Sequence, residues 1–436
     1  MLGMTLARRL AHADQEVAIW EGAPALGGLA SAWSLGDVVW DRHYHVTLAS
    51  DQALRGLLRE LDLEQEIAWV TTRTGFFAGG RLYSLSSIVE YLTFPLLSPL
   101  EKARLAATIL HASRLRDWRK LERITAVEWL TRLSGRGTVE KVWYPLLRSK
   151  LGANADTVSA AFIWAIIARM YGARRSSGKS EQFGYVSGGY ARVLDRFAAA
   201  LAADGVRIET DRRVASVEQS QESELTVTSA EGVTERFDRV VVTAAAPVAA
   251  RMCPQLSANE RSLLEGVEYQ GIICASLLLD RPLSPYYITN ITEGWVPFTA
   301  VIEMSALVDR STFGGRSLVY LPKYLTPSDP AFARSDEDIE REFLDALARM
   351  YPHFDRSLVR SFRISRVRYV LPLSTLGYSD RLPPMHTSVP GLHIVNGAHI
   401  LNGTLNVNET VQLAERAYLE LLADPVAAPL KIANLR

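Results

Sequence analysis

The first 21 residues match the second half of a nucleotide-binding β-α-β unit. Gly3 opens a segment with helical character, residues 16–20 form a β-rich run, and Glu21 follows directly. In the complete motif, a strand runs into G-x-G-x-x-G, the helix N-terminus receives a pyrophosphate, and an acid about 20 residues further on holds the ribose hydroxyls. Gly3 matches the third glycine and Glu21 the acid. The start of the chain therefore predicts an α/β domain that binds a dinucleotide.

The strand and the two glycines that open this motif do not occur in the sequence. A helix that begins inside its own ligand loop would leave backbone N–H groups without a partner. We therefore expect a mis-assigned start codon or a truncated chain. The alternative is a native start and a lost nucleotide site.

Composition excludes several classes of function. Lys and Arg together number 48, and so do Asp and Glu, so no overall positive field favours nucleic acid as a partner. The two cysteines, Cys253 and Cys274, have neither the spacing of a zinc site nor that of a disulfide framework. We expect no metal site and a reducing, cytoplasmic location.

The order of the predicted elements indicates an α/β fold in two parts. A Rossmann-like cofactor domain, discontinuous in sequence, would comprise residues 1–50, 180–249 and 386–436. The remainder would form an α+β substrate domain, with a helical insertion over residues 51–179 and a sheet over residues 250–385. A length of 436 residues agrees with two or three structural domains.

Periodicity predicts the main elements of these parts. An unbroken apolar run at 237–244 is typical of a buried parallel strand. In the sheet part, alternation and turn residues predict one helix, 336–350, and four strands, 272–279, 301–304, 318–321 and 362–369.

Paired glycines follow the acidic residue closely, in the run 21–33 with sequence EGAPALGGLASAW. Gly27 and Gly28 would let the backbone approach a phosphate or a ribityl chain without an intervening side chain. The alternative is an ordinary surface turn. Together with Glu21, the pair predicts a second contact with the cofactor.

Four segments give the chain a family resemblance: residues 21–33, 184–190, 238–247 and 392–417. In these segments it resembles the glutathione-reductase-type flavoproteins of the amine oxidase, protoporphyrinogen oxidase and phytoene desaturase superfamily. The resemblance implies that the cofactor is FAD and that the Rossmann-like domain binds it. It also implies that backbone groups of Val214 meet the adenine.

The C-terminal segment departs from the family pattern. Relatives usually carry Gly-Asp at the end of the strand, whereas this chain has Asn396 and Gly397, and an amide brings no charge. The resemblance places Thr404, Leu405 and Asn406 beside the flavin ring, where a helix N-terminus would stabilise negative charge on the reduced ring. Capping of that helix by Asn406 or Asn408 is an alternative role.

Four residues are candidates for the catalytic machinery. His43 and His45 alternate in a dense polar segment after a predicted strand, where UDP-galactopyranose mutases carry a similar histidine segment. The alternative is that both histidines lie at the surface with their hydrogen bonds made and have no role in a site. Lys323 resembles the lysine that amine oxidases hold near flavin N5, although an exposed lysine is an equally simple interpretation. Tyr369 belongs to a segment that leads towards the flavin in relatives.

These features predict an FAD-dependent oxidoreductase, a dehydrogenase, desaturase or oxidase that transfers a hydride from an apolar or amphipathic small molecule to flavin N5. One alternative is a non-redox flavoenzyme that, like UDP-galactopyranose mutase, acts on a sugar nucleotide. Another is a non-catalytic scaffold that has lost FAD. The sequence leaves the oligomeric state open.

One apolar stretch raises the question of membrane contact. Residues 91–97, extended by a predicted helix over 98–110, are shorter than the roughly 20 apolar residues that a membrane span needs. The stretch predicts either a core helix or a surface that docks peripherally on a membrane.

Overall fold

The computed structural model describes residues 1–176, 182–220, 224–401 and 403–423. Its helices are α1 (Leu2–Ala11), α2 (Gln52–Glu60), α3 (Ile88–Thr93), α4 (Pro99–Arg114), α5 (Ala126–Ser134), α6 (Arg136–Thr138), α7 (Tyr144–Leu151), α8 (Ala160–Ser176), α9 (Gly189–Ala203), α10 (Ala246–Met252), α11 (Ala258–Glu265), α12 (Asp336–Met350) and α13 (Val407–Ala423). Within the described ranges, no helix is long and apolar enough to cross a bilayer.

The strands form several sheets. They are β1 (Ala18–Trp20), β2 (Ala32–Leu35), β3 (Val38–Asp41), β4 (Thr47–Leu48), β5 (Ile67–Thr71), β6 (Thr74–Ala78), β7 (Arg81–Ser84), β8 (Gln182–Val186), β9 (Arg207–Glu209), β10 (Val214–Gln219), β11 (Leu225–Ser229), β12 (Thr234–Phe237), β13 (Val240–Val242), β14 (Tyr269–Leu279), β15 (Ile288–Ile291), β16 (Ala300–Glu303), β17 (Ser317–Leu325), β18 (Val359–Pro372) and β19 (Leu392–Ile394).

Two short parallel pairs carry the predicted nucleotide-binding elements. β1 pairs with β9, and β13 pairs with β19, each over three residues in register. Met4 of α1 and Phe197 of α9 belong to one apolar cluster, and α13 packs against α1. Residues of β1 and β13 line the same cavity. The parallel pairs and their helices therefore form one wall of that cavity.

A seven-stranded sheet forms the centre of the second part, in the order β18-β14-β17-β16-β15-β6-β7. All eleven residues of β14 are buried, because both faces of this strand are covered. On one face Ala275 and Leu277 pack in a cluster with Phe343 of α12, and on the other Cys274 packs in a cluster with Trp40 of β3. The four strands and the helix predicted for this part are confirmed, but α11 is a second helix where one was predicted, and β15 is an additional strand.

Helices α4, α5, α7 and α8 form a layer with its own core. Trp129, Leu130 and Phe162 are buried in this core, and Trp164 Nε1 donates a hydrogen bond to the carbonyl of Ala112 at 3.0 Å. This layer is the predicted helical insertion.

The prediction of a largely helical block is wrong for residues 67–84, which form β5, β6 and β7. β5 pairs with β8, and β6 pairs in parallel with β15. Gly75 of β6 allows the close approach to β15 and the residues before it, since a Cβ at position 75 would lie 2.7 Å from the Tyr286 ring. β8 and β15 are more than 100 residues distant in sequence from β5 and β6, so contacts made in the folded state support these two strands, whereas β6 and β7 also form a local hairpin. The domain boundaries proposed from sequence stay a prediction.

The apolar run at 237–244 forms a shorter strand than predicted. Phe237 ends β12, which turns back on β11, and β13 contains only Val240–Val242. The predicted parallel pairing is confirmed by β19. The strand is only partly buried, because its residues face the cavity instead of a packed core.

Glu303 predicts a pH-dependent stability for the large sheet. It is fully buried at the end of β16, where it accepts hydrogen bonds from Leu283 N at 3.0 Å and Ser305 Oγ at 2.6 Å. Burial raises its pKa from 4.5 to about 7, although the hydrogen bonds from Ser305 and Leu283 and, to a smaller degree, the charge of Arg310 oppose the shift. A carboxyl whose pKa is higher in the folded state than in the unfolded state contributes its full stabilisation at pH values below its unfolded-state pKa. This stabilisation is lost as the pH rises through its folded-state pKa.

We therefore expect the free energy of unfolding of the wild type to fall between pH 5 and pH 8 by about 2–3 kcal/mol more than that of Glu303→Gln. Urea denaturation at a series of pH values measures this difference. Glu337→Gln, at an exposed position of α12, removes the same charge and should follow the wild type. Parallel pH profiles for the wild type and Glu303→Gln would contradict the assignment.

Candidate active site

A single cavity of about 2570 Å³ joins the two parts of the molecule. Sites for one small molecule usually measure roughly 300–1,000 Å³, so this cavity has room for a large cofactor together with a substrate. Its wall includes residues of the parallel pairs, of the seven-stranded sheet and of the helical layer. The cavity is therefore the candidate active site.

Gly3, Glu21 and Val214, the residues predicted to meet the adenosine half of a dinucleotide, all line the cavity. Glu21 follows β1, and its N–H donates to the carbonyl of Glu209 at 2.9 Å. Its carboxylate oxygen Oε1 accepts from Ala23 N at 2.9 Å. These bonds hold a carboxylate at the cavity wall, where it can accept hydrogen bonds from ribose hydroxyls.

The glycine pair also lies on the cavity wall. Gly27 has φ +119°, and a Cβ there would lie 2.5 Å from Leu194 Cδ1 of α9. Gly28 has φ +58°, and a Cβ there would meet nothing within 4 Å. Packing against α9 thus requires glycine at position 27, while position 28 leaves the backbone open on the side where a ligand could approach.

Asn396 supplies an unpartnered polar group on the same wall. It is 2 % exposed, and its Oδ1 accepts from Ala398 N at 3.0 Å. None of the described residues accepts a hydrogen bond from its Nδ2. A buried donor without a partner costs about 1–3 kcal/mol, so Nδ2 indicates a ligand acceptor at this position. A phosphate or ribityl oxygen of FAD fits this requirement.

Thr404, Leu405 and Asn406 line the cavity where α13 begins. Asn406 Oδ1 accepts from Glu409 N at 3.1 Å, so the capping role considered for it is present. The N-terminus of α13 can at the same time face the ligand. Asn408 caps a different helix: its Oδ1 accepts from Ala53 N and Leu54 N, in the first turn of α2.

His43 is buried, and both of its ring nitrogens have partners within the protein. Arg42 Nε donates to Ser365 Oγ at 2.8 Å, which leaves the Ser365 hydroxyl free to donate to His43 Nε2 at 3.1 Å. His43 Nδ1 then donates to the carbonyl of Leu29, 3.2 Å away. Burial, with His45 nearby, lowers the pKa of His43 to about 3. The neutral ring therefore positions the loop that follows Gly28.

His45 lies at the cavity wall in a different environment. Its Nδ1 is 3.7 Å from Asp41 Oδ2, and its ring lies 4.9 Å from the Tyr190 ring. The side chain is partly exposed to the cavity. Of the two histidines, His45 has the less restrained ring.

The other two catalytic candidates lie on opposite faces of the sheet. Tyr369 lines the cavity and packs edge-on against Tyr269 at 5.6 Å. The neighbours of Lys323 in β17, Pro322 and Tyr324, line the cavity, so the alternation of side chains along the strand directs Lys323 to the other face of the sheet. There its Nζ lies 3.6 Å from Glu342 of α12. The structure thus contradicts the predicted placement of Lys323 beside the flavin.

Sequence reasoning missed a polar group in the cavity. The hydroxyls of Tyr44 and Tyr324 lie 3.0 Å apart, and Lys150 Nζ lies 5.2 Å from the centre of the Tyr324 ring. Burial raises the pKa of Tyr44 well above its ordinary value, so this phenol stays protonated. Tyr44 lay within the polar segment of the two histidines, but its partner is 280 residues away in sequence.

The remainder of the cavity is an apolar arm inside the helical layer. Its wall contains side chains of α4, α7 and α8 and of the turn before α7, namely Leu105, Ile109, Leu110, Val142, Trp143, Leu146, Phe162, Ile163, Ile166 and Ile167. This arm has the surface chemistry to bind a hydrocarbon group.

Three solved structures show the same fold at low sequence identity. A candidate protoporphyrinogen oxidase from Exiguobacterium sp. 255-15 is 19% identical, with a TM-score of 0.75 over 96% of both chains. A triple mutant of putrescine oxidase is 18% identical, with a TM-score of 0.74 over 97% of this chain and 96% of that one. Cyclohexylamine oxidase from Brevibacterium oxydans IH-35A is 17% identical, with a TM-score of 0.66 over 96% of each chain. These matches confirm the predicted fold class, a Rossmann-like FAD domain with a substrate domain.

The sequence also matches the model of one protein family over nearly its whole length. The family is described as flavin-containing amine oxidoreductase, and the match extends over residues 2–417. Among curated proteins, none matches the chain. The family uses FAD, the cofactor that the resemblance implied and that Asn396, the glycine loop and Glu21 fit. The chain therefore belongs to the flavin-containing amine oxidoreductase family, and it is an FAD-dependent oxidoreductase.

Proposed function

We propose that this oxidoreductase oxidises an amphipathic small molecule whose apolar part occupies the arm within the helical layer. The observation that supports this is the continuity of the cavity, which runs from Glu21 and Val214 to the apolar side chains of α4 and α8. FAD, when bound, supplies the hydride acceptor, its N5 atom. The chain then has to bind both molecules, orient them and exclude water.

Different residues at the Glu21 end of the cavity would bind different parts of FAD. Glu21 accepts hydrogen bonds from the ribose, the open backbone at Gly28 admits the diphosphate, and Asn396 Nδ2 donates to an oxygen further along. The start of α13 then faces the pyrimidine part of the ring, where its N–H groups stabilise negative charge.

The tyrosine pair would bind the polar group of the substrate. Tyr44 and Tyr324 offer neutral hydroxyls that donate or accept hydrogen bonds, and Lys150 adds a positive charge beside them. Of the described residues that line the cavity, Glu21 is the only acidic one, and it lies at the end proposed for the adenosine. An ammonium group would meet a like charge in the arm, so we propose that the substrate carries a neutral or anionic polar group.

The sugar-nucleotide alternative is less well supported by the geometry. It depended on His43 and His45, and the protein already occupies both ring nitrogens of His43. An apolar arm is also a poor match for a sugar and its diphosphate. The non-catalytic alternative conflicts with membership of an oxidoreductase family.

We also propose that the protein works in the reducing cytoplasm. Cys253 and Cys274, the two cysteines of the chain, are buried and unpaired. Cell fractionation would test this location, and recovery of the protein outside the cytoplasmic fraction and the membranes that face it would contradict it.

Anaerobic reduction of the bound flavin tests the substrate class. Mixed with long-chain alcohols, 2-hydroxycarboxylates or amines of matched length, the holoenzyme should lose its absorbance at about 450 nm fastest with an alcohol or a hydroxycarboxylate. Each of these two gives a hydride from its carbinol carbon and a proton from its hydroxyl, which leaves a carbonyl. Shortening the alkyl chain should weaken the apparent affinity roughly tenfold for each pair of methylenes removed. Faster reduction by amines would refute the choice of polar group. Binding of UDP-galactose to the holoenzyme, with no loss of the absorbance at about 450 nm on addition of any alcohol, carboxylate or amine, would support the mutase alternative.

The role of Glu21 predicts a selective loss of FAD affinity. In Glu21→Gln the carboxylate charge is lost, and hydrogen bonds to charged groups contribute about 1.5–3 kcal/mol, so Kd for FAD should rise about tenfold or more. Titration of the apoprotein with FAD, followed by flavin fluorescence, measures the change. Glu16→Gln, an exposed position just before β1, is the control and should bind FAD as the wild type does. Wild-type affinity in Glu21→Gln would show that the carboxylate does not hold the ribose.

A further inference from the structure

Oxidation of a hydroxyl group to a carbonyl releases a proton, and the cavity has few groups that can accept it. Of the described residues that line the cavity, three carry a carboxylate or an imidazole: Glu21, His43 and His45. Glu21 lies beside β1, where it is proposed to hold the ribose. His43 has both ring nitrogens bonded within the protein, and burial lowers its pKa to about 3. His45 is therefore the remaining candidate for the proton acceptor.

One edge of the His45 ring faces a buried carboxylate. His45 Nδ1 lies 3.7 Å from Asp41 Oδ2, and the Asp41 side chain is 3% exposed. Nδ1 is buried, and none of the described residues forms a hydrogen bond with it. Contacts between catalytic groups are often long without ligand and shorten when the site closes. A carboxylate opposite Nδ1 favours the tautomer with its proton on Nδ1, which leaves a lone pair on Nε2.

The start of α9 holds the Asp41 carboxylate in this orientation. Asp41 Oδ1 accepts from Tyr190 N at 2.7 Å, and a Cβ at Gly189 would lie 2.8 Å from the same oxygen. The Tyr190 ring also packs against the His45 ring, with 4.9 Å between their centres. One turn of chain therefore positions both the carboxylate and the imidazole.

The other edge of the His45 ring faces the cavity. The side chain as a whole is 18% exposed although Nδ1 is buried, so the exposed part is the edge that carries Nε2. His45 directly follows Tyr44, and neighbouring Cα atoms lie about 3.8 Å apart. Tyr44 belongs to the pair proposed to bind the polar group of the substrate. The lone pair of Nε2 and that pair therefore line neighbouring parts of the cavity wall.

The charges around His45 favour its protonated form after the reaction. The charged and titratable groups around the His45 and Tyr190 rings are Asp41, His43, Asp51 and Arg169. Asp51 and Arg169 form an ion pair of 3.0 Å with each other. Of the described acids, Asp41 alone lies within ion-pair distance of His45. An imidazolium at position 45 would therefore have one close counter-charge.

We propose that His45 is a catalytic residue that accepts the hydroxyl proton of the substrate at Nε2, while Asp41 fixes its tautomer and stabilises the imidazolium. The C–H bond of the carbinol carbon breaks, and the hydrogen leaves with the electron pair as a hydride to FAD, which is reduced. The O–H bond breaks as well, its proton goes to Nε2, and its electron pair completes the C=O bond of the oxidised product. This inference rests on the proposed function, because it requires a substrate with a hydroxyl group.

The pH dependence of flavin reduction tests the role of His45. In anaerobic stopped-flow experiments with the preferred alcohol or hydroxycarboxylate, the rate constant of the wild type should rise with pH through one ionisation to a plateau, because only a neutral imidazole accepts the proton. In His45→Gln the rate constant should fall about 10²–10⁴-fold, and this ionisation should disappear. His353→Gln replaces an exposed histidine after α12 and should keep the wild-type rate and profile.

Two further measurements separate proton transfer from a structural role. Imidazole added to His45→Ala should restore part of the rate in proportion to its neutral form, and a lack of rescue would contradict the assignment. Nitrogen NMR of the isotopically labelled wild-type holoenzyme needs no turnover. The His45 ring, assigned through its contact with Tyr190, should carry its proton on Nδ1 when it is neutral. A proton on Nε2 instead would overturn the proposal.

The kinetic outcomes also distinguish this inference from the proposed function. A wild-type rate and an unchanged pH profile in His45→Gln would overturn the role of His45 and leave the proposed function in place. Failure of every alcohol and hydroxycarboxylate to reduce the wild-type flavin would overturn both.

Discussion

The buried carboxylate of Asp41 joins the two parts of this molecule. Its Oδ1 accepts from Tyr190 N, at the start of α9, at 2.7 Å, and its backbone carbonyl accepts from the Tyr320 hydroxyl of the large sheet at 2.6 Å. A carboxylate at a helix N-terminus is favoured by the helix dipole. Gly189 completes the contact, since a Cβ there would lie 2.8 Å from Oδ1. Asp41 therefore links the start of α9 to β17 of the large sheet.

The segment after Asp41 depends on the same anchor. Residues 42–45 extend from it along the cavity and contact the glycine loop, β18 and β17 in turn through His43 and Tyr44. A shift of Asp41 would therefore move the glycine loop together with the tyrosine pair. The cofactor and substrate ends of the site are thus positioned by one short stretch of chain.

Features set by local physics could be predicted from the sequence. The start of α12 agrees with its prediction because Ser335 caps it and acidic residues fill its first turn. The glycine pair was recognisable because glycine readily adopts the positive φ found at both positions, and Glu21 because it directly follows a predicted strand. The hairpin of β6 and β7 was missed, although Gly79 and Gly80 between two apolar runs are a turn signal. The placement of Lys323 and the Tyr44–Tyr324 pair depends on strand register between distant segments, which a local pattern does not determine.

Burial sets the chemistry of the cavity as well as its shape. It lowers the pKa of His43 and raises that of Tyr44, so both side chains are neutral at physiological pH. A hydride transfer needs no permanently charged base beside the substrate, and a low-dielectric wall strengthens each remaining interaction with developing charge. Glu21 and Lys150 line the same cavity, Glu21 beside β1 and Lys150 beside the Tyr324 ring. Because burial keeps His43 and Tyr44 neutral, these two side chains can act only by hydrogen bonding and by positioning their neighbours.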